Sequence, residues 1–201
     1  MDQSIIRSGR PFGGNAIIWK SNIKNKIYSI DTVSTRLTCI HVSLDDKNSV
    51  IIFNVYMPCD TGQRGNTFIE FQNILSEVHE ICLSVDATYC IFGGDFNTDL
   101  TREQAPHTQE LNVFCEAESM LPCCRLPLSS VKHSFECSVT FNRSLIDHFI
   151  VSDNILNCII KYSTIDSFDC NSDHSAIMLT VDIPCSSVSY GRLVQGINSR
   201  Y

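Results

Sequence analysis

The 201-residue sequence has no long apolar run: residues 50–53 are typical of its hydrophobic stretches and fall far short of the ~20 residues that cross a bilayer. A transmembrane helix is excluded, and no membrane partner is expected. The opening Met1-Asp2-Gln3-Ser4 lacks the apolar core of a secretory signal, so an intracellular setting, nuclear or cytoplasmic, is expected. Cys-x-x-Cys pairs and histidines at zinc-finger spacing are also missing, although 11 cysteines are present. That argues against a zinc module and leaves thiols such as Cys39 and Cys90 as small buried hydrophobes. A disulfide framework is the alternative for a secreted chain, with Cys123 and Cys124 as the pair to inspect. Internal repeats and low-complexity tracts are absent. With 43% hydrophobic and 18% charged residues, the composition excludes a disordered or fibrous chain. The length suits one compact domain with one active centre, expected over residues 1–183, with 184–201 as a tail or linker.

A basic coat is lacking too. Residues 1–64 carry eight Lys or Arg against five acids, a balance of +3, whereas residues 65–201 carry seven against seventeen, a balance of −10. A globally basic nucleic-acid surface is excluded. A local basic face remains open around Arg7, Arg10, Lys20, Lys24 and Lys26, although scattered cations also read simply as solvated.

What is present is a series of short strand-like runs around one clear helix. Gly13-Gly14 introduces the apolar run Asn15-Ala16-Ile17-Ile18-Trp19, with residues 27–33 as its hairpin partner. Alternation over 37–42, a polar turn at 45–48 and the run 50–57 extend this into an antiparallel meander. The period then changes: Phe68, Phe71, Ile74, Leu75, Val78, Ile81, Cys82 and Val85 recur every three or four residues, predicting an amphipathic helix, with Thr67 and Glu70 fitting a capping box. A buried strand follows at 89–92, closed by Gly93-Gly94. A second helix is predicted over 106–118, and further strands at 136–141, 145–151, 158–165 and 176–183. The pattern predicts an α/β sandwich of two packed sheets with outer helices.

Several polar groups break these patterns. Gly93-Gly94-Asp95-Phe96-Asn97 leaves the carboxyl end of a buried strand, the usual edge for ligands in layered α/β folds, yet by itself it also reads as a turn. Alternation puts Asp147 in an apolar row with Leu145, Phe149 and Val151, where an unpaired carboxylate would be costly. His148 faces the other way and reads as structural. A histidine partner for Asp147 occurs in Asn171-Ser172-Asp173-His174-Ser175, otherwise a solvated loop; paired with Asp147, His174 would gain a fixed tautomer and basicity. Tyr56 shares a strand face with Asn54, where a purely apolar face would carry neither.

Taken in order, Gly13-Gly14-Asn15-Ala16-Ile17-Ile18-Trp19, Asn54-Val55-Tyr56-Met57-Pro58, Gly94-Asp95-Phe96-Asn97, Thr140-Phe141, Ser144-Leu145-Ile146-Asp147 and Ser172-Asp173-His174 resemble the endonuclease/exonuclease/phosphatase superfamily. The resemblance is greatest to the apurinic/apyrimidinic-endonuclease-like domain of LINE-type non-LTR retrotransposons. It implies a four-layer α/β sandwich, two mainly antiparallel sheets flanked by helices, that hydrolyses phosphodiesters with Mg²⁺ or Mn²⁺. It implies that Asp95 orients or deprotonates the attacking water, that Asn97 holds the scissile phosphate, and that Asp147 and His174 form a carboxylate-histidine dyad. Asp173 would assist the metal, Tyr56 and Asn54 would serve substrate binding, and Thr140 and Phe141 would shape the nucleic-acid groove. DNA is the implied substrate, with a reverse transcriptase domain in a longer parent protein as a further partner. The family pattern also has an Asn and a principal metal-binding Glu before the Gly-Gly strand. Only twelve residues precede Gly13, so the first strands are expected to be missing. An inactive remnant that binds nucleic acid or protein, and a phosphatase of the same superfamily, are the alternative functions.

Overall fold

The computed structural model of the chain describes residues 14–23, 26–165 and 172–184, and the backbone of 193–197. Strands β1 (Lys26–Ile30), β2 (Leu37–Ser43) and β3 (Ser49–Tyr56) form the antiparallel meander. Helix α1 (Asn66–Ser84) then crosses to β4 (Tyr89–Asp95), which lies parallel to β3, since a parallel neighbour requires such a crossover. Helix α2 (Pro106–Ala117), β5 (Met120–Pro122), the short pair β6 (Phe135–Glu136) and β7 (Arg143–Ser144), and β8 (Asp147–Ser152) follow. The larger sheet has the order β1-β2-β3-β4-β8-β5. A smaller antiparallel sheet contains β9 (Ile159–Ile165), β10 (Ala176–Val181) and β11 (Leu193–Ile197), in the order β11-β10-β9.

Strand alternation gives the larger sheet two apolar faces. Ile51, Phe53, Val55, Phe92 and Ile150 point one way and pack against Phe71, Ile74, Leu75 and Val78 of α1 and Leu111 of α2. Val50, Ile52, Ile91, Phe149 and Val151 point the other way, against Tyr162, Ile177, Leu179 and Val181 of the smaller sheet. The result is the expected α/β architecture of two packed, mainly antiparallel sheets with helices on an outer face; among the described residues, both α-helices cover the larger sheet.

Several local expectations are corrected. Residues 14–20 form no strand: the run is irregular, Ile18 is 90% exposed, and β1 pairs with β2 instead of with this segment. The helix begins at Asn66, with Gly65 at the cap position and no side-chain cap, because Glu70 is drawn to Arg36 Nε at 2.8 Å and Thr67 faces Thr61. Gly93-Gly94 does not close β4, which runs through both glycines to Asp95. The strand expected at 136–141 shrinks to two residues because Cys137 onward turns, with Phe141 in the left-handed region at φ 57°. Residues 193–197, expected within a tail, form the edge strand paired with β10. The nine described cysteines are free thiols, and burial pushes Cys39 and Cys123 up to about 12, so the disulfide alternative finds no support there. Arg7, Arg10 and Lys24 lie outside the described residues, while Lys20 and Lys26 are exposed, Lys26 on the outermost strand of the larger sheet.

Candidate active site

The inter-sheet face ends in polar groups where the apolar row runs out. In the register of the larger sheet Tyr56 lies beside Asp95, and Asp95 beside Asp147, so β3, β4 and β8 carry one cross-strand row. Asp95 is 7% exposed and Asp147 3%, so each carboxylate needs a partner to offset lost hydration. Asp147 Oδ2 accepts a hydrogen bond from His174 Nδ1 at 2.8 Å. A carboxylate can only accept, so Nδ1 carries the proton and Nε2 is the nitrogen left for chemistry. The candidate ligand atoms of Asp95, Asp147 and His174 all lie within 4.8 Å of one another.

Local backbone chemistry holds this cluster in place. Gly94 has φ 145°, and a Cβ there would sit 2.0 Å from Val55 O, so only glycine lets β4 press against β3 just before Asp95. Asn97 occupies the left-handed region at φ 47°, which asparagine tolerates, and its N–H donates to Asp95 Oδ1 at 2.8 Å. Asn97 Nδ2 donates to Met57 O at 2.8 Å and lies 3.5 Å from Asp95 Oδ2, so the amide is held beside the carboxylate. His174 is set just before β10, with its ring edge-on to Phe135 at 5.1 Å between centroids.

The electrostatics are those of crowded acids. Burial and the neighbouring Asp147 charge raise Asp95 from 3.8 to about 7, against the opposing pull of the Asn97 N–H and His174. Burial works against charge on His174, but its hydrogen bond to Asp147 and the charges of Asp147, Asp95 and Asp173 outweigh it and raise its pKa. With Asp95 Oδ1 and Asp147 Oδ2 engaged, Asp95 Oδ2 and Asp147 Oδ1 are the oxygens most open to a hard divalent cation, and two close carboxylates suit such an ion.

The sequence candidates divide accordingly. Asp95, Asn97, Asp147 and His174 come together. Tyr56 adjoins Asp95 in the sheet, and Arg36 places its guanidinium 5.2 Å above the Tyr56 ring. Asn54 is one step farther along the same face; its Nδ2 donates to Ala16 O at 3.3 Å, and Asn15 donates back to Asn54 O. Asp173, expected at the metal, is exposed and outside the ligand cluster; its backbone carbonyl accepts the Glu136 N–H, so it acts on His174 through charge. Thr140 and Phe141 sit in the exposed turn between β6 and β7, with Phe141 73% exposed. The groups of that region that reach the site are Phe135 and Ser134. Buried Ser134 Oγ accepts the N–H groups of Ile146 and Asp147 at 3.1 and 2.9 Å, and its carbonyl accepts the N–H of Ser175. Sequence reading missed both, as it missed Arg36. A small hydroxyl residue followed by an aromatic, ahead of the Asp147 strand, was the available signal.

Comparison with known proteins agrees with this fold. The family described as "Endonuclease-reverse transcriptase" matches residues 50–178, more than half of the chain. A search of curated protein sequences gives no match. Among solved structures, the endonuclease domain of TRAS1, a telomere-specific non-LTR retrotransposon, superimposes with a TM-score of 0.62 at 13% identity, covering 80% of this chain and 69% of that one. The AP endonuclease LMAP from Leishmania major gives 0.62 at 14% identity, covering 76% and 56%. The 3′ phosphatase NExo from Neisseria, bound to a product DNA hairpin, gives 0.58 at 15% identity, covering 78% and 70%. At such identities these structures speak for the fold, a nuclease or phosphodiesterase fold that also houses the retrotransposon endonuclease. The chain belongs to the endonuclease–reverse transcriptase family, within the endonuclease/exonuclease/phosphatase superfamily.

Proposed function

We propose that the chain is a divalent-metal-dependent phosphodiesterase that nicks DNA, the endonuclease module of a longer retrotransposon protein that also carries a reverse transcriptase. The observation that carries this reading is the cluster of Asp95, Asp147 and His174 within 4.8 Å at the end of the inter-sheet face. The family match and the TRAS1 fold support the choice of DNA over other phosphate esters.

Asp95, free of its proton near neutral pH, orients the attacking water. His174, raised in pKa by Asp147, presents Nε2 as a cationic contact for a phosphate oxygen. Asp147 fixes the ring and its tautomer. Asn97 turns its amide toward the phosphate, its 3.5 Å approach to Asp95 Oδ2 being weak enough to exchange for a phosphate oxygen. Tyr56 contacts the same phosphate, and Asp95 with Asp147 would hold Mg²⁺ or Mn²⁺. When bound, that cation neutralises charge on the phosphate and acidifies the water. Intracellular action, in whichever compartment holds the target DNA, follows from this substrate.

The test compares two products. With supercoiled plasmid and Mg²⁺ the chain should yield nicked circles, and His174→Ala should abolish them. A 3′-phosphorylated oligonucleotide that releases inorganic phosphate while plasmid stays intact would instead indicate a phosphatase, the reading favoured by the fold shared with NExo. No product from either substrate would leave an inactive binding domain.

A further inference from the structure

The cross-strand row of Tyr56, Asp95 and Asp147 has a fourth member beyond Tyr56. Leu37 lies opposite Val55 in the pairing of β2 with β3, so Arg36, one residue earlier, falls opposite Tyr56, whose N–H donates to Arg36 O at 3.0 Å. A cation thus stands at the outer end of a row of acids. Its guanidinium serves three groups: Nε donates to Glu70 Oε1 at 2.8 Å, Nη1 donates to Tyr56 O at 3.3 Å, and Cζ stands 5.2 Å from the centroid of the Tyr56 ring. A planar fork can meet a carboxylate, a carbonyl and an aromatic face at once, where the point charge of an ammonium cannot.

The turn that carries Arg36 is itself held. Glu77, two turns along α1 from Glu70, accepts the Ser34 N–H at 3.1 Å, and Ser34 Oγ accepts the Arg36 N–H at 3.2 Å. The Asn15 amide also donates to Arg36 O. With the Arg36 side chain 20% exposed and that of Glu70 48%, the ion pair adds little to stability, so its consequence is where it puts the guanidinium. That place borders the catalytic cluster. Burial and the Asp95 charge push the Cys59 thiol up while Arg36 draws it back, so Cys59 feels both charges, and its Sγ donates to Asn97 Oδ1 at 3.6 Å. Met57, next after Tyr56, donates its N–H to Asp95 O and accepts Asn97 Nδ2, each at 2.8 Å. The end of β3 that Arg36 clasps is therefore the segment against which Asp95 and Asn97 are set.

We infer that Arg36 is a positioning residue of the reaction, acting through Tyr56: it fixes the ring so that the hydroxyl meets the scissile phosphate, and Glu70 in turn holds the guanidinium. The inference rests on the reading above, in which Tyr56 contacts that phosphate, and it extends the site to the start of β2 and to helix α1.

The test is a double-mutant cycle in kcat and KM for plasmid nicking, with wild type, Arg36→Met, Tyr56→Phe and the pair, each checked by thermal melt. Tyr56→Phe keeps the ring and removes the hydroxyl. Loss of one hydrogen bond to a charged oxygen should raise KM by ~10-fold with kcat nearly unchanged, as for a contact made equally in ground and transition states. Arg36→Met should have a similar effect, and the pair should be no worse than Tyr56→Phe alone. Arg36→Lys should not rescue it. Should Arg36→Met melt early, Glu70→Gln on the exposed side of the ion pair should raise KM when Tyr56 is present and leave it unchanged in Tyr56→Phe. Effects that are equal in the two backgrounds, or absent from both, overturn the inference and leave the nicking reading standing. A wild-type chain that nicks no plasmid overturns both.

Discussion

The two faces of the larger sheet are built from the same strands, yet they end differently. On the helix face, β3 continues apolar to Met57 and β4 to Phe96, both fully buried, so the core is sealed at that end. On the inter-sheet face, the same strands pass from Val50, Ile52 and Ile91 to Asn54, Tyr56 and Asp95, and β8 begins with Asp147. One residue of offset decides which function a position serves. His148 and Asp147 are neighbours in sequence, but His148 faces the helix side as a buried group whose pKa is lowered by burial, whereas Asp147 faces His174 and accepts the hydrogen bond from its Nδ1. Apolar continuity stabilises the fold, and its interruption at one end makes the site.

The comparison predicts a separation of effects. The largest is on chemistry: Asp95→Asn should lower nicking by ~10³-fold or more, while its melting temperature at pH 8 stays equal or rises, because a strained buried carboxylate has been removed. On the helix face the opposite holds. Phe53→Ala should destabilise by ~3–5 kcal/mol in chemical denaturation, while the fraction that remains folded nicks at the wild-type rate. Gly94→Ala should affect both, since a methyl 2.0 Å from Val55 O must push β4 off β3; a loss of ~3 kcal/mol or more together with loss of nicking is expected. Ser134→Ala leaves the N–H groups of Ile146 and Asp147 unpaired, and should cost ~1–3 kcal/mol.

A further expected effect is the pH dependence of stability. Asp95 is raised above its ordinary value on folding, so the stability it contributes is complete below about pH 4 and is lost as pH rises through about 7. Melting temperature should therefore fall between pH 5 and pH 8, and the fall should shrink in Asp95→Asn. A cation competes with the proton for the same oxygens, so Mg²⁺ should raise the wild-type melting temperature more at pH 8 than at pH 5. Equal gains at both values would argue that the cation binds elsewhere.

Much of this was legible in residue order. The 3.6-residue period of α1 and the alternation of β8 depend on local geometry, so the buried row from Phe68 to Ile81 and the inward Asp147 could be read directly. The Asp147–His174 pair followed from the need of a buried carboxylate for a partner. Where tertiary contacts decide, reading failed. Thr67 and Glu70 have the spacing of a capping box, but Arg36 from a distant loop takes the Glu70 carboxylate. Gly93-Gly94 looks like a strand end, yet close approach of β3 makes glycine necessary within the strand. Thr140-Phe141 has suitable side chains for a groove, but the chain turns at Cys137, and Ser134 and Phe135 are the residues that meet Asp147 and His174. The basic face sought in residues 1–64 shows the same limit: among its described cations Lys20 and Lys26 are exposed away from any partner named for the site, whereas Arg36 lies over the Tyr56 ring.

The central claim is that Asp95, Asp147 and His174 act as one metal-assisted hydrolytic centre. It is tested most directly by the rate of plasmid nicking from pH 5.5 to 9 at a fixed, subsaturating Mg²⁺ concentration, for wild type, Asp95→Asn and His174→Ala. The wild-type rate should rise as Asp95 loses its proton around neutrality and fall again as His174 loses its own, giving a bell that vanishes in both variants along with the activity. Variants that nick as fast as wild type, with the same pH profile, would contradict it.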